Sequence, residues 1–210
     1  MPILFIIFLI CSLLLLPIHF LSVSHINLEE RFGHKKGIRI GKFLGLFSGW
    51  GFFISLFGIW LSPQPHFVLP LLNIKILLVP LLNIPIYLIH TIIAIPMIIL
   101  SCYLGIMGVK ETTLEVSETH ITTKVISEGI YSQIRHPQYL GAIIAHLAFS
   151  FLFAGLLSIL VSPLIFIYNY LISWKEEKEL IREFGEEYLR YKRKVPMFIP
   201  KFLYRIIKKE

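Results

Sequence analysis

Residues 135–177 read RHPQYLGAIIAHLAFSFLFAGLLSILVSPLIFIYNYLISWKEE. The 36 residues from Tyr139 to Trp174 hold no Asp, Glu, Lys or Arg. A membrane-crossing helix needs about 20 apolar residues. This run therefore predicts two spans, about 137–154 and 156–174, with a tight turn near Ala154-Gly155. Pro163 falls inside the second span, which lipid-embedded helices tolerate. Polar clusters flank the run on both sides, and a hairpin brings them to the same membrane face.

Composition agrees with this reading. Hydrophobic residues make up 56 % of the 210-residue chain and charged residues 16 %, against about half and a quarter in soluble domains. Working outward, further spans are expected at about 3–23, 43–61 and 86–107. The polar stretch Ser24 to Lys42 between the first two reads as a loop. Phe67 to Ile84 is apolar but broken by Pro70, Lys75, Pro80 and Pro85, and it echoes itself in PLLNI at 70–74 and 80–84. A lysine at mid-membrane is costly, so this segment reads as interfacial or re-entrant. Val109 to Arg135 is polar, and its alternation at 113–117 suggests partly extended backbone. The tail, 175–210, is charged and helical at first. The expected fold is an all-α integral membrane protein of about five spans. An N-terminal transmembrane region covers 1–108, and a second region, 109–210, carries the chemistry.

Charge sets the expected orientation. The net charge is +7, and the tail from Lys175 holds 11 of the 20 basic residues. Positive residues collect on the cytoplasmic side. Five spans place both the tail and the basic 24–42 segment there, whereas six would turn the latter outward. The basic residues border spans and form no separate domain, so nucleic acid is not an expected partner. Cys11 and Cys102 lie in apolar runs, so neither a disulfide framework nor a metal site is expected. No glycine-rich dinucleotide fingerprint occurs. Gly37, Gly41, Gly45 and Gly49 recur every four residues without a preceding strand, a spacing that marks close helix packing in lipid. The first run lacks the basic start and small-residue cleavage site of a signal peptide. The isoleucine content and lack of sorting signals suggest a prokaryotic plasma membrane.

Three polar clusters converge on the cytoplasmic face of the hairpin: Lys124 to Tyr131, Arg135 to Gly141, and Glu176-Glu177 followed by 184–191. Pro137 suits the first turn of a helix. Arg135 and His136 then sit at a helix N-terminus, a natural carboxylate site. Tyr131 and Tyr139 offer aromatic surface with a polar tip. Glu176 and Glu177 would welcome a cation. A ligand with a carboxylate, an ammonium and a sulfonium satisfies all three clusters, and S-adenosylmethionine is such a ligand. His146 and Asn169 could touch an acceptor or simply bond within the bundle. His19 and His90 have no visible partner pattern.

The ordered combination EGIYSQIRHPQYLG (128–141), a two-span hairpin, EExxL (176–180) and FGEEYLRYKRKVP (184–196) resembles the isoprenylcysteine carboxyl methyltransferase family, within a wider group that includes phospholipid methyltransferases. The resemblance covers about Thr123 to Pro200. It implies S-adenosylmethionine as cofactor, with contacts on Lys124, Val125, Ile126, Gly129, Tyr131, His136, Pro137, Tyr139 and Glu176. It also implies membrane lipids as surroundings and a lipophilic or lipidated acceptor, near Arg135, His146 and Asn169. No catalytic residue is assigned, because a carboxylate acceptor needs no general base. One departure stands out: eukaryotic members carry a substrate-associated arginine near the end of the last span, where this chain has Ile172. The acceptor classes left open are a carboxylate, a thiol and an amine. Two other readings remain: an NADPH-dependent membrane reductase of the sterol reductase type, whose C-terminal pattern is similar but whose chains are longer, and a non-catalytic membrane protein.

Overall fold

The computed structural model describes residues 3–70 and 73–207. Its long helices are α1 (Ile3–Val23), α3 (His34–Leu61), α4 (Leu88–Thr112), α6 (Pro137–Leu152) and α8 (Ser162–Phe184). Shorter ones are α2 (His25–Phe32), α5 (Leu114–Thr119), α7 (Leu156–Leu160), α9 (Glu186–Lys194) and α10 (Lys201–Ile207). Among the described residues, α1, α3 and α4 are long and apolar enough to cross a membrane, while α6 is apolar but only 16 residues long. Their outward faces carry exposed Ile, Leu and Phe side chains, as lipid contact requires. Helices suit that environment because every backbone bond is closed within the segment.

The chain is predominantly helical, but four local expectations need correction. The 24–42 segment is not a loop: α2 and the first turns of α3 occupy it, joined at Gly33 with φ +79°. The 113–117 segment is not extended. Thr113 caps α5 by accepting the Val116 N–H, so its hydroxyl serves a helix start. Lys75–Val79 (β1) and Ile84–Tyr87 (β2) pair antiparallel as a hairpin, so the third long helix begins at Leu88, not at Ile86. The prolines that disfavour a helix there sit at a turn and in a two-stranded edge. Leu71 and Leu72, in the first copy of the PLLNI echo, lie outside the described residues. Finally, the last span is divided at Val161, and α8 begins anew at Ser162 with Pro163 in its first turn.

Core packing explains how these elements assemble. α1 and α3 form an antiparallel pair; the flat face of Gly58 accepts the Phe8 ring, and Gly51 accepts Leu15. Phe52, Leu56, Ile59 and Trp60 of α3 then join Phe5 and Leu15 of α1 and Ile165, Tyr168 and Ile172 of α8 in one core. α4 packs along α6, with the Ser101 hydroxyl donating to the Gly141 carbonyl at 2.8 Å. At the hairpin tip, Gln64 fills the turn: it donates to Ile59 O and Ser158 Oγ at 2.9 Å and accepts the Ser158 N–H. The result gathers the C-terminal ends of α1 and α4, the N-terminal ends of α3 and α6 and the charged half of α8 at one end of the bundle.

The four-residue glycine repeat splits into two jobs. A Cβ on Gly37 would lie 2.5 Å from the Glu29 backbone, whereas one on Gly49 meets nothing within 4 Å. Gly37→Ala should therefore destabilise the protein by about 1–3 kcal/mol through overpacking. Gly49→Ala should be neutral or slightly stabilising, since alanine is the better helix former by about 1 kcal/mol. Unfolding in detergent, followed by circular dichroism, checks the contrast.

Candidate functional site

The gathered helix ends enclose a cavity of about 550 Å³, a size typical of ligand sites. It has two unlike ends. Toward the bundle end it is walled by Tyr131, His120, His136, Glu176 and Tyr191. Deeper in, its walls come from α3, α4 and α6, and small residues make the space: Gly45 and Gly49, Ser101 and Gly105, Gly141, Ala142 and Ala145. Trp50, Phe53 and Phe57 line the α3 side. The glycines at 45 and 49, expected from spacing to mark close packing, here line open volume instead.

Two adjacent glutamates organise the polar end. Successive residues on a helix point about 100° apart, so Glu176 and Glu177 face different partners. Glu177 is 1 % exposed and takes the Arg135 Nε–H at 2.6 Å and the Lys192 ammonium at 2.7 Å. Arg135 also donates to the carbonyls of Lys192 and Val195. The Arg135 and His136 N–H groups bond Pro196 O and Met197 O at 3.0 and 3.2 Å, and Tyr191 Oη donates to Tyr131 O at 2.7 Å. The tail is thereby fastened across the mouth of α6. Glu176 faces the cavity between two imidazoles: His120 Nδ1 lies 3.7 Å from one carboxylate oxygen and His136 Nδ1 3.7 Å from the other. Its Oε2, like that of Glu177, is buried without a well-directed hydrogen bond among the described residues, but the Glu177 oxygen has the Lys192 ammonium beside it and the Glu176 oxygen has no Lys or Arg partner.

Both carboxylates lie past the apolar part of α8, and both stay ionised. Burial pushes Glu176 up, but the His120 and His136 imidazoles and the Tyr139 hydroxyl outweigh it and hold its pKa down to about 2. Burial likewise opposes Glu177, but His136, Lys192 and Arg135 hold it at about 2. Tyr131 moves the other way: burial first, then the Glu176 charge, raises its phenol to about 12. It stays a neutral phenol, with Gln138 donating to its oxygen at 3.2 Å.

Of the residues singled out from sequence, Lys124, Val125, Ile126, Tyr131, Arg135, His136, Tyr139, Asn169 and Glu176 line this cavity. Gly129 and Pro137 do not line it. Gly129 has φ +52°, which favours glycine, and Pro137 is the first residue of α6. His146 lies elsewhere, accepting the Trp60 indole N–H at 3.1 Å and bonding Ser158 O at 3.0 Å. Arg135 reaches the wall, but its charge is committed to Glu177. Ile172 is fully buried in the apolar core, so nothing cationic stands there. Sequence reading missed His19, His120 and Tyr168, which also line the cavity. His19 does have partners, which lie 101 and 149 residues away in the chain, too far for any local pattern to reveal.

A sequence model of the phospholipid methyltransferase family matches residues 83–187, half of the chain. The chain belongs to that family. The matched region takes in β2 and the whole of α4, α5, α6, α7 and α8. Curated relatives include a protein-S-isoprenylcysteine O-methyltransferase of Xenopus laevis, 35 % identical over 41 % of this chain and 29 % of its own length. The Saccharomyces cerevisiae enzyme of that name is 34 % identical over 49 % of this chain and 48 % of its length. A methanethiol S-methyltransferase of Bradyrhizobium diazoefficiens is 42 % identical over 34 % of this chain and 24 % of its length. The chain thus spans less than half the length of each of these family relatives. No solved structure gives a significant match.

The depressed carboxylates have a consequence in acid. Their stabilising contribution is complete above the ordinary value near 4.5 and is lost as pH falls from there toward about 2. Wild-type protein should lose stability across that window, and Glu177→Gln, already destabilised at neutral pH by about 3–5 kcal/mol because Arg135 is left as an uncompensated buried charge, should show a shallower loss. Thermal unfolding from pH 6 to 3 measures both slopes.

Proposed function

We propose that this protein is a membrane-embedded methyltransferase that uses S-adenosylmethionine and methylates a lipophilic acceptor. The observation that carries the reading is Glu176: an ionised carboxylate with a buried, undonated oxygen, at the junction between a polar and an apolar chamber. Such an atom calls for a cationic ligand group. The methyltransferase names of the relatives support the same reading.

The residues fit the cofactor. Glu176 and the aromatic walls of Tyr131 and Tyr139 would face its cationic groups, His136 at the start of α6 its carboxylate, and the 124–126 backbone its nucleoside, with Gly129 and Pro137 shaping the wall. When bound, S-adenosylmethionine supplies an electrophilic methyl group on a sulfonium. The chain would hold that group beside Glu176, Tyr131 and Tyr139 and exclude water from it, which is the main demand of an in-line displacement. Arg135 works through Glu177, keeping the tail closed over the site. Apolar acceptors fit the deeper chamber between α3, α4 and α6. Five crossings, with the site and the basic tail on the cytoplasmic side, satisfy the charge rule; a prokaryotic plasma membrane is the proposed residence.

The test is transfer of labelled methyl from S-adenosylmethionine to a panel of lipophilic acceptors by the purified protein, with extraction of labelled product. Transfer to any of them supports the reading; none, with the protein folded, contradicts it. Glu176→Ala and His136→Ala should each weaken S-adenosylhomocysteine affinity about tenfold to 100-fold, the scale of a charged hydrogen bond worth roughly 1.5–3 kcal/mol. Gly49→Leu should leave that affinity unchanged while blocking long-chain acceptors, because it fills the deeper chamber and not the polar end.

A further inference from the structure

A line of polar side chains runs through the bundle beside the cavity. Tyr168 Oη lies 3.2 Å from His19 Nδ1, His19 Nε2 lies 3.2 Å from His120 Nε2, and His120 Nδ1 lies 3.7 Å from Glu176 Oε1. Tyr168 and Glu176 are both on α8, about 12 Å apart along its axis. The two histidines, from α1 and from the end of α5, bridge that interval. Both are buried, and Tyr168 is held flat against Phe52 with ring centroids 4.2 Å apart.

Hydrogen-bond accounting, with any added charge placed beside Glu176, allows this line two fillings. Facing nitrogens at 3.2 Å need one proton between them, and the Glu176 carboxylate accepts only. In the first filling both histidines are neutral: Tyr168 O–H donates to His19 Nδ1, His19 Nε2–H to His120 Nε2, and His120 Nδ1–H points at Glu176. The second holds one more proton. His120 is an imidazolium paired with Glu176, its Nε2–H donates to His19 Nε2, and His19 Nδ1–H donates to the Tyr168 oxygen. The two differ by one proton taken up at the Tyr168 hydroxyl, with the charge settling beside a carboxylate 8 residues further along α8.

A carboxylate acceptor has no use for such a line, since it arrives ionised. Its charge, localised on two oxygens where that of an aromatic thiolate spreads over sulfur and ring, would also lack a counter-charge. Among the described lining residues the Lys and Arg side chains are Lys124, at the polar end, and Arg135, committed to Glu177. An amine enters as a cation and would resist the apolar chamber, while a thiol enters neutral and must lose a proton as it reacts. We propose, resting on the methyltransferase reading, that the Tyr168–His19–His120 line is the proton acceptor of the reaction and that the acceptor is a lipophilic thiol.

The step balances. The thiol sulfur bonds to the methyl carbon as the bond from that carbon to the sulfonium sulfur breaks, giving a methyl thioether and S-adenosylhomocysteine. The thiol proton passes to Tyr168 Oη, the Tyr168 proton to His19 Nδ1, and the His19 Nε2 proton to His120 Nε2. The stored proton then leaves to solvent. Tyr168 is the catalytic residue that touches the thiol; His19 and His120 act through it.

The test uses full-length protein with 1-octanethiol, with 4-nitrothiophenol (already anionic at neutral pH) and with an S-prenylated N-acetylcysteine as the carboxylate probe. Wild type should methylate both thiols and leave the carboxylate. His19→Gln and Tyr168→Phe should lower kcat on octanethiol at least about 100-fold, within the range of general-base catalysis, and leave 4-nitrothiophenol within roughly threefold. Calorimetric affinity for S-adenosylhomocysteine should be unchanged in both variants. Equal losses on the two thiols, no loss on octanethiol, or preferential methylation of the carboxylate would overturn the proposal while the methyltransferase reading stands. Failure of wild type to bind S-adenosylhomocysteine would remove that reading, and this proposal with it.

Discussion

A carboxylate taken out of water must be paired, and this chain buries two in succession. Glu176 and Glu177 emerge where α8 leaves its apolar stretch, and the surrounding structure is arranged to answer them. Glu177 is met by Arg135, His136 and Lys192. Because Arg135 precedes α6 and Lys192 lies on α9, that one pairing joins the start of the hairpin, its end and the tail. Replacing one partner alone would leave an uncompensated buried charge. Glu176 is answered only in part, by two imidazoles at 3.7 Å and the Tyr139 hydroxyl, and so keeps capacity for a cationic ligand group. One helix turn thus carries a structural carboxylate and a functional one.

The second determinant is side-chain volume. The site needs room inside a bundle whose stability depends on contact, and the sequence reconciles these by position. Glycines at 37, 51 and 58 receive neighbouring backbone or side chains. Those at 49 and 105 receive nothing within 4 Å and face the cavity. Aromatic and aliphatic residues of α3 close the core on its other face toward α1 and α8. The chamber therefore widens where α3, α4 and α6 would otherwise meet, beside the place where Glu176 sits.

Much of this could be read from residue order. The uncharged 36-residue run between two polar clusters dictated the hairpin, because lipid admits little else. Pro137 announced a helix start. The gathering of Lys124–Ile126, Tyr131, His136, Tyr139 and Glu176 around one cavity follows from the hairpin bringing its ends together. What sequence did not reveal depends on long-range geometry. His19 reads as one polar residue in an apolar run until α1 is laid against α8. Arg135 reads as a ligand for anions until its partner proves to be the chain's own Glu177. The glycine repeat has one spacing and two uses, and only the packing of α2 and α4 tells them apart. Thr113 to Ser117 alternates like a strand, yet a side-chain cap and local backbone bonds make it helical.

What the polar chamber holds decides the chemistry of the whole site. The most direct measurement is a calorimetric titration of the folded, detergent-purified protein with S-adenosylhomocysteine, with NADPH titrated in parallel. Saturable one-site binding of S-adenosylhomocysteine and none of NADPH is the predicted result. Binding of NADPH alone, or of neither ligand, would contradict it.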